Sequence, residues 1–204
     1  MTTVALIGAT GNAGSRILGE LTRRGHRVTA IVRNPAKVPL LKNTTARAGD
    51  VRDLDGLAAL IAGHDVVVSS VHFAASDPGV LVAAVRKAHV PRYVIVGGAG
   101  SLKTPTGELL VDTGHVPLPY VPESLAGGAF LDILRGVSDF DWSFLSPSIE
   151  FVPGRRTGRF RLGNDIVLTD DQGRSWISYE DYAVALVDEI ESNAHRCRRF
   201  TVGY

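Results

Sequence analysis

Two hydrophobic patterns alternate through the first half of the chain. Short apolar runs at 4–7, 28–32 (broken by Thr29), 66–68 and 93–96 are too brief for helices and rich in β-branched residues, so they predict strands buried on both faces. A weaker run at 44–48 predicts another strand. Between them the apolar spacing changes to three and four residues. Ile17, Leu18 and Leu21 within 13–24, Leu57, Leu60 and Ile61 within 54–61, and the stretch 80–89 predict amphipathic helices. Gly25 stops the first helix, as a residue that tolerates positive φ commonly does. Asn34-Pro35 predicts a short helix reaching Leu41, with Pro in the first turn where a missing N–H costs least. Strands of this kind separated by helices predict an α/β fold whose parallel sheet is covered by helices.

The second half is less regular. Residues 97–122 are rich in Gly, Pro and Thr, and the run is long for a connection with no structure of its own. A helix is expected over 124–137 despite Gly127-Gly128, and a strand over 142–145. Residues 158–162 and 166–168, separated by Gly163-Asn-Asp165, predict a hairpin. Ser178 followed by Asp181 resembles a capping box that opens a helix running to about Ser192, and 199–202 predicts a last strand. With 204 residues the expectation is one domain, its cofactor half about 1–100 and a substrate-side part about 100–204.

Composition narrows the functional classes. The 22 Lys and Arg nearly balance the 21 Asp and Glu, so the basic excess of a nucleic-acid binder is missing. No apolar run approaches the roughly 20 residues a membrane helix needs. The N-terminus enters an apolar run without a basic region, which reads as a strand and suggests a cytoplasmic protein. Cys197 stands alone, excluding an internal disulfide or a cysteine metal cluster, and the histidines lack metal-ligand spacing.

One motif carries chemistry. Gly8-Ala-Thr-Gly11-Asn-Ala-Gly14 lies directly between the first strand and the first helix. In a dinucleotide site Gly8 allows the tight turn, Gly11 lets backbone approach a pyrophosphate, and Gly14 brings helix and sheet close. The N–H groups of Asn12, Ala13 and Gly14 at the helix N-terminus would face the phosphates, with Thr10 and Asn12 side chains adding hydrogen bonds. A free ribose 2′-hydroxyl calls for Asp or Glu about 20 residues further on. The chain places Arg33-Asn34 there, and a guanidinium suits a 2′-phosphate, so NADP(H) is expected over NAD(H). Asp50 and Val51 are candidates to flank the adenine, against a plain helix-capping role for Asp50. Ser69, Val71 and His72 leave the fourth strand at its carboxyl end, where open parallel sheets bind ligands. For His72, a solvent-facing loop position is the competing reading.

The order Gly8-Ala-Thr-Gly-Asn-Ala-Gly14, Ile31-Val-Arg-Asn34, Gly49-Asp-Val51, Val96-Gly-Gly-Ala99, Asp141-Trp-Ser-Phe-Leu-Ser-Pro147 and Ile177-Ser-Tyr-Glu-Asp181 resembles the atypical short-chain dehydrogenase/reductases with an NAD(P)H-binding, NmrA-like fold, above all the flavin reductase/biliverdin-IXβ reductase type. The resemblance covers nearly the whole chain. It implies a Rossmann-type, doubly wound parallel sheet with a small C-terminal substrate-side extension. It further implies NADP(H) across the carboxyl edge near Gly97 and Gly98, and closure of Pro147, Ser148 and Ile149 over the nicotinamide.

The chain departs from the family in its chemistry. Short-chain dehydrogenases use a Tyr with a Lys four residues later, and no Tyr-x-x-x-Lys occurs here. The serine of the flavin-reductase type falls near Gly98, leaving Ser101 as the candidate polar assistant, against a purely structural loop hydroxyl. Without a strong proton donor, the expected reaction is hydride transfer from NADPH to a planar conjugated acceptor, a flavin or quinone, resting on proximity. The alternatives are a non-catalytic NADP(H)-binding redox sensor and a sugar-nucleotide epimerase, the latter disfavoured by length. No nucleic acid, membrane or metal is expected as partner, and a homodimer is the default for a small enzyme.

Overall fold

The apolar runs become the centre of one sheet. The computed structural model describes residues 1–204, and its eight-stranded sheet has the order β3-β2-β1-β4-β5-β6-β10-β8. These are β1 (Thr3–Ile7), β2 (Arg27–Val32), β3 (Thr44–Ala48), β4 (Val66–Ser69), β5 (Arg92–Val96), β6 (Asp141–Ser146), β8 (Arg161–Gly163) and β10 (Arg198–Gly203). All neighbours are parallel except β10 with β8. Strands β7 (Glu150–Val152) and β9 (Trp176–Ser178) form a separate parallel pair.

Alternation of side chains across the pleat splits the core in two. Val4 and Leu6 of β1 join a cluster with Ile17, Leu18 and Leu21 of α1 (Asn12–Arg23) and Tyr182 and Leu186 of α5 (Tyr179–Ser192). Ala5 and Ile7 face the other cluster, built on α2 (Leu54–Ile61), α3 (Pro78–Lys87) and α4 (Val121–Arg135). Covered on both faces, the sheet must be apolar throughout its middle, which is why its strands read as continuous runs. The strand order reverses between β1 and β4, so a crevice opens outside their carboxyl ends.

Three expectations change. The helix at 34–41 is only a 3-10 turn at Pro35–Lys37, because Val38 precedes Pro39 and takes an extended conformation (ψ 125°). The hairpin is not formed. β8 pairs antiparallel with β10, while Ile166 bridges Lys103. The outer edge of β10 offers unpaired backbone groups, and pairing with β8 satisfies them. The stretch 97–122 is ordered by 3-10 turns at Leu110–Asp112 and Leu118–Tyr120 and by a Lys103–Leu109 bridge.

Ser178 does cap α5, its Oγ accepting from Asp181 N at 3.0 Å. The Asp181 carboxylate does not complete a capping box. One methylene shorter than Glu, it turns instead to the segment after β7. There it accepts from Thr157 N and Gly158 N at 2.8 Å, Thr157 Oγ1 at 2.5 Å and Tyr204 Oη at 2.7 Å. The loop holding Thr157 and Gly158 is thereby tethered to the start of α5.

Arg156 carries that loop onto α1. Its Nε and Nη2 each donate to Glu20 at 3.0 Å, beside Arg23 and Arg24. Burial alone would push the Glu20 carboxyl up, but hydrogen bonds from Arg156, Arg23 and Arg24 outweigh it and hold the group at about 2 rather than 4.5. A depressed carboxyl stabilises the fold above its unfolded pKa, and the contribution is lost as pH falls from about 4.5 towards 2. Glu20→Gln is expected to cost about 1–2 kcal/mol at neutral pH, since the exposed arginines screen part of the interaction. The difference from the parent should shrink below pH 4.5 in denaturant titrations. A constant difference across that range would remove the assignment.

Candidate functional site

The β1–α1 loop is shaped by two glycines and left open by a third. Gly8 has φ +82°, and a Cβ there would overlap the Ser70 carbonyl oxygen. A Cβ on Gly14 would overlap the carbonyl of Gly8. Gly11 has an ordinary φ of −73°, and a Cβ there would meet only Gly8 O, at 3.5 Å. Nothing inside the protein thus requires glycine at position 11. The loop is tied down by Gly8 N to Ile31 O (2.9 Å) and Gly11 N to Gly8 O (3.1 Å), and the helix ladder begins with Ser15 N to Gly11 O. The N–H groups of Asn12, Ala13 and Gly14 have no acceptor in the protein. Gly11 supplies no side-chain cap and the first turn holds no acidic residue. The positive end of the α1 dipole therefore faces the crevice uncompensated, beside exposed Thr10 and Asn12. This cradle fits a dinucleotide pyrophosphate.

Along the same edge, Arg33 is exposed just beyond β2 and makes no ion pair. Asn34 Oδ1 accepts from Ala36 N at 3.1 Å and closes the turn. Asp50 Oδ1 accepts from Arg52 N at 3.0 Å, and the cap of α2 is Asp53. Asp50 is thus a turn residue, not a helix cap. Val51 is half-buried against the α2 side of the core.

The other end of the edge is formed by β4, β5 and β6. Ser69 is buried and accepts from Tyr93 Oη at 2.8 Å; burial pushes that phenol up, so it keeps its proton. Val71 packs beside Gly8, whose Cβ would lie 3.1 Å from Val71 Cγ1. His72 follows, exposed, with Nδ1 3.4 Å from Glu123 Oε1. Gly97 is needed where it is, since a Cβ would collide with the Phe144 ring, and its N–H donates to Leu145 O at 2.8 Å. Gly98 is freer, its Cβ direction meeting Phe73 at 3.5 Å.

Ser101 is half-buried beneath the loop after β5. Arg199 Nη1 donates to its carbonyl at 3.1 Å and its Oγ at 3.4 Å, which leaves the hydroxyl proton free to be donated elsewhere. Pro147 and Ser148 are buried, and Ser148 Oγ donates to Val202 O at 2.9 Å. Ile149 is 47% exposed and is the member of that segment presented outward.

The structure adds three residues. Ser146 ends β6 with a buried Oγ that has no partner, and Ser124, four residues after Tyr120, packs against Gly100. Glu123 accepts from Phe73 N (2.8 Å) and Ala74 N (2.9 Å), tying α4 to the segment after β4. An acidic residue in the first turn of a helix was the available signal for Glu123, but its partners lie some fifty residues away.

A family model described as NAD(P)H-binding matches residues 8–193, and the chain belongs to that family. It is similar over its full length to a candidate exported protein from Burkholderia pseudomallei (44% identity, all of that chain covered, TM-score 0.90). It is likewise similar to a candidate epimerase from Bacteroides thetaiotaomicron (40%, 97% of that chain, TM-score 0.94). A candidate NADH-flavin reductase from Streptococcus pneumoniae aligns with all of this chain at 32% identity, 99% of its own length and TM-score 0.82. The eight-stranded, parallel-dominated sheet is Rossmann-like, and no helix is long and apolar enough to cross a membrane.

Proposed function

We propose that the protein is an NADPH-dependent reductase of a planar conjugated acceptor such as a flavin or quinone. The observation that carries this reading is the open cradle at Gly11, with three unpartnered N–H groups at 12–14 and no internal reason for glycine. Asn12, Ala13 and Gly14 would bind the pyrophosphate, and Arg33, free of any carboxylate partner, the 2′-phosphate. The reduced nicotinamide supplies hydride when bound. Ile149, Gly97 and Gly98 border the ring's end of the crevice, and Ser101 can donate a hydrogen bond to acceptor charge. Ser124 stands four residues after Tyr120, where a short-chain dehydrogenase would carry its lysine, so Tyr120 has no Lys partner at that spacing. That favours an acceptor that delocalises charge over an isolated ketone.

The test is NADPH oxidation by purified protein with a panel of flavins and quinones, NADH in parallel, and dinucleotide affinity on the same sample. Acceptor-dependent turnover supports the reductase. Tight binding without turnover on any acceptor would replace it with the sensor reading, for which the missing Tyr-Lys pair already speaks. Size measurement in solution tests the expected homodimer.

Arg33→Asp is expected to weaken NADPH binding about 10- to 100-fold and leave NADH little changed or improved, as for loss of a charge-assisted contact worth roughly 1.5–3 kcal/mol. Unchanged NADPH affinity by fluorescence titration would sink the 2′-phosphate assignment.

A further inference from the structure

We propose that His72 is the proton donor of the reductase, positioned by Glu123; the inference rests on the reductase reading above. Hydride transfer leaves the acceptor two electrons richer and negatively charged, and a proton must follow. At the carboxyl ends of β4, β5 and β6, the segments 69–72, 97–101 and 146–149 contain one side chain able to gain and lose a proton near neutral pH, His72. Of the other ionisable groups nearby, Tyr93 is sealed in the core with its hydroxyl bonded to Ser69. Tyr120 is 64% exposed and has no basic partner four residues on.

The position of His72 is specific. Val71, its neighbour, packs against Gly8 of the β1–α1 turn, and His72 follows it three residues beyond the carboxyl end of β4. Its imidazole is 86% exposed and not built into the core. Glu123 is the charged group within ion-pair distance, contributed by α4, and its carboxylate is immobilised by two backbone N–H groups, of Phe73 and Ala74. The helix can approach this closely because Gly127 lies against the Phe73 ring, where a Cβ would come within 2.9 Å. With Nδ1 turned to Glu123, Nε2 is the nitrogen directed away and available. The fixed carboxylate, 3.4 Å from Nδ1, keeps that side of the ring towards α4.

With the hydride that a bound reduced nicotinamide would supply to the acceptor, the N–H bond at His72 Nε2 would break as an O–H or N–H bond forms at the acceptor's anionic oxygen or nitrogen. Neutral His72 regains its proton from water. Dependence on His72 should be greater for a quinone, whose reduced anion is the more basic, than for a flavin.

The experiment compares the parent, His72→Ala and Glu123→Gln in turnover of NADPH with a benzoquinone and with flavin mononucleotide, across pH, with NADPH affinity measured by titration calorimetry. For His72→Ala we expect a loss of about 100-fold in kcat with the quinone, the usual scale of general acid catalysis. NADPH affinity should stay within about twofold, and added imidazole should restore part of the rate. Glu123→Gln should lower kcat with the quinone several-fold while leaving its KM and the NADPH affinity unchanged, a split a merely structural role would not make. Parent-like turnover and pH profile in His72→Ala, or a loss that imidazole does not rescue, overturns the proton donor and leaves the reductase standing. Absence of turnover in the parent overturns both.

Discussion

Gly11→Val is expected to abolish dinucleotide binding while the protein stays folded. Position 11 has φ −73°, comfortable for any L-residue, and a Cβ there would make only an ordinary contact with Gly8 O at 3.5 Å. Valine would fill the volume into which a pyrophosphate must come to reach the N–H groups of Asn12, Ala13 and Gly14. Affinity should fall more than about 100-fold, or 2.7 kcal/mol. The melting temperature should move by no more than about 2 °C, the scale of an ordinary surface change in a chain of this size. Gly14→Ala is the contrasting variant. Its methyl group would overlap the Gly8 carbonyl, so it should lose binding and stability together. Retained binding in a folded Gly11→Val protein would mean that no phosphate approaches this loop.

Glu189→Ala should be the most damaging change to stability, and it acts at the other end of the sheet. Glu189 is 2% exposed and takes hydrogen bonds from Arg92 Nη2 (2.8 Å) and from His195 N and Nδ1, with Ser143 Oγ 2.9 Å from the same carboxylate. It joins the last turns of α5 to the first residues of β5 and β6 and to the turn before β10. Removing one partner of a buried pair leaves the other charge desolvated, at a cost of about 3–5 kcal/mol. In thermal denaturation that is a fall of about 10 °C. Replacing both members, Arg92→Met with Glu189→Leu, should recover part of the loss: no lone charge is buried, but His195 N still lacks its acceptor. Since the network lies away from the carboxyl edge, NADPH affinity of the folded single variant should be unchanged. A loss under 1 kcal/mol would show that water reaches Arg92 once the carboxylate is gone.

Much of the first half was legible because its determinants are local. A strand buried on both faces must be apolar at every position, and a tight strand-to-helix turn is written in adjacent glycines, so residues 4–7 and 8–14 announce both. The hairpin expected from 158–168 misled for the same reason. Local turn chemistry at Gly163-Asn-Asp165 was real, but the free edge of β10 competed for the strand and won. The capping role of Ser178 was readable, whereas the grip of Asp181 on Thr157 and Gly158 depends on a loop more than twenty residues away.

What the sequence determined by itself is therefore the alternation of elements, the glycine-rich turn between β1 and α1, and the absence of a Tyr-Lys pair; each rests on residues adjacent along the chain. The tertiary structure decided which groups face one another across the crevice. Glu123 meets His72 and the N–H groups of Phe73 and Ala74 because Gly127 lets α4 settle on the Phe73 ring, and Arg199 reaches Ser101 because β10 returns beside β6. Such contacts follow from how helices and strands stack once the apolar faces are buried, and sequence spacing carries no record of that stacking.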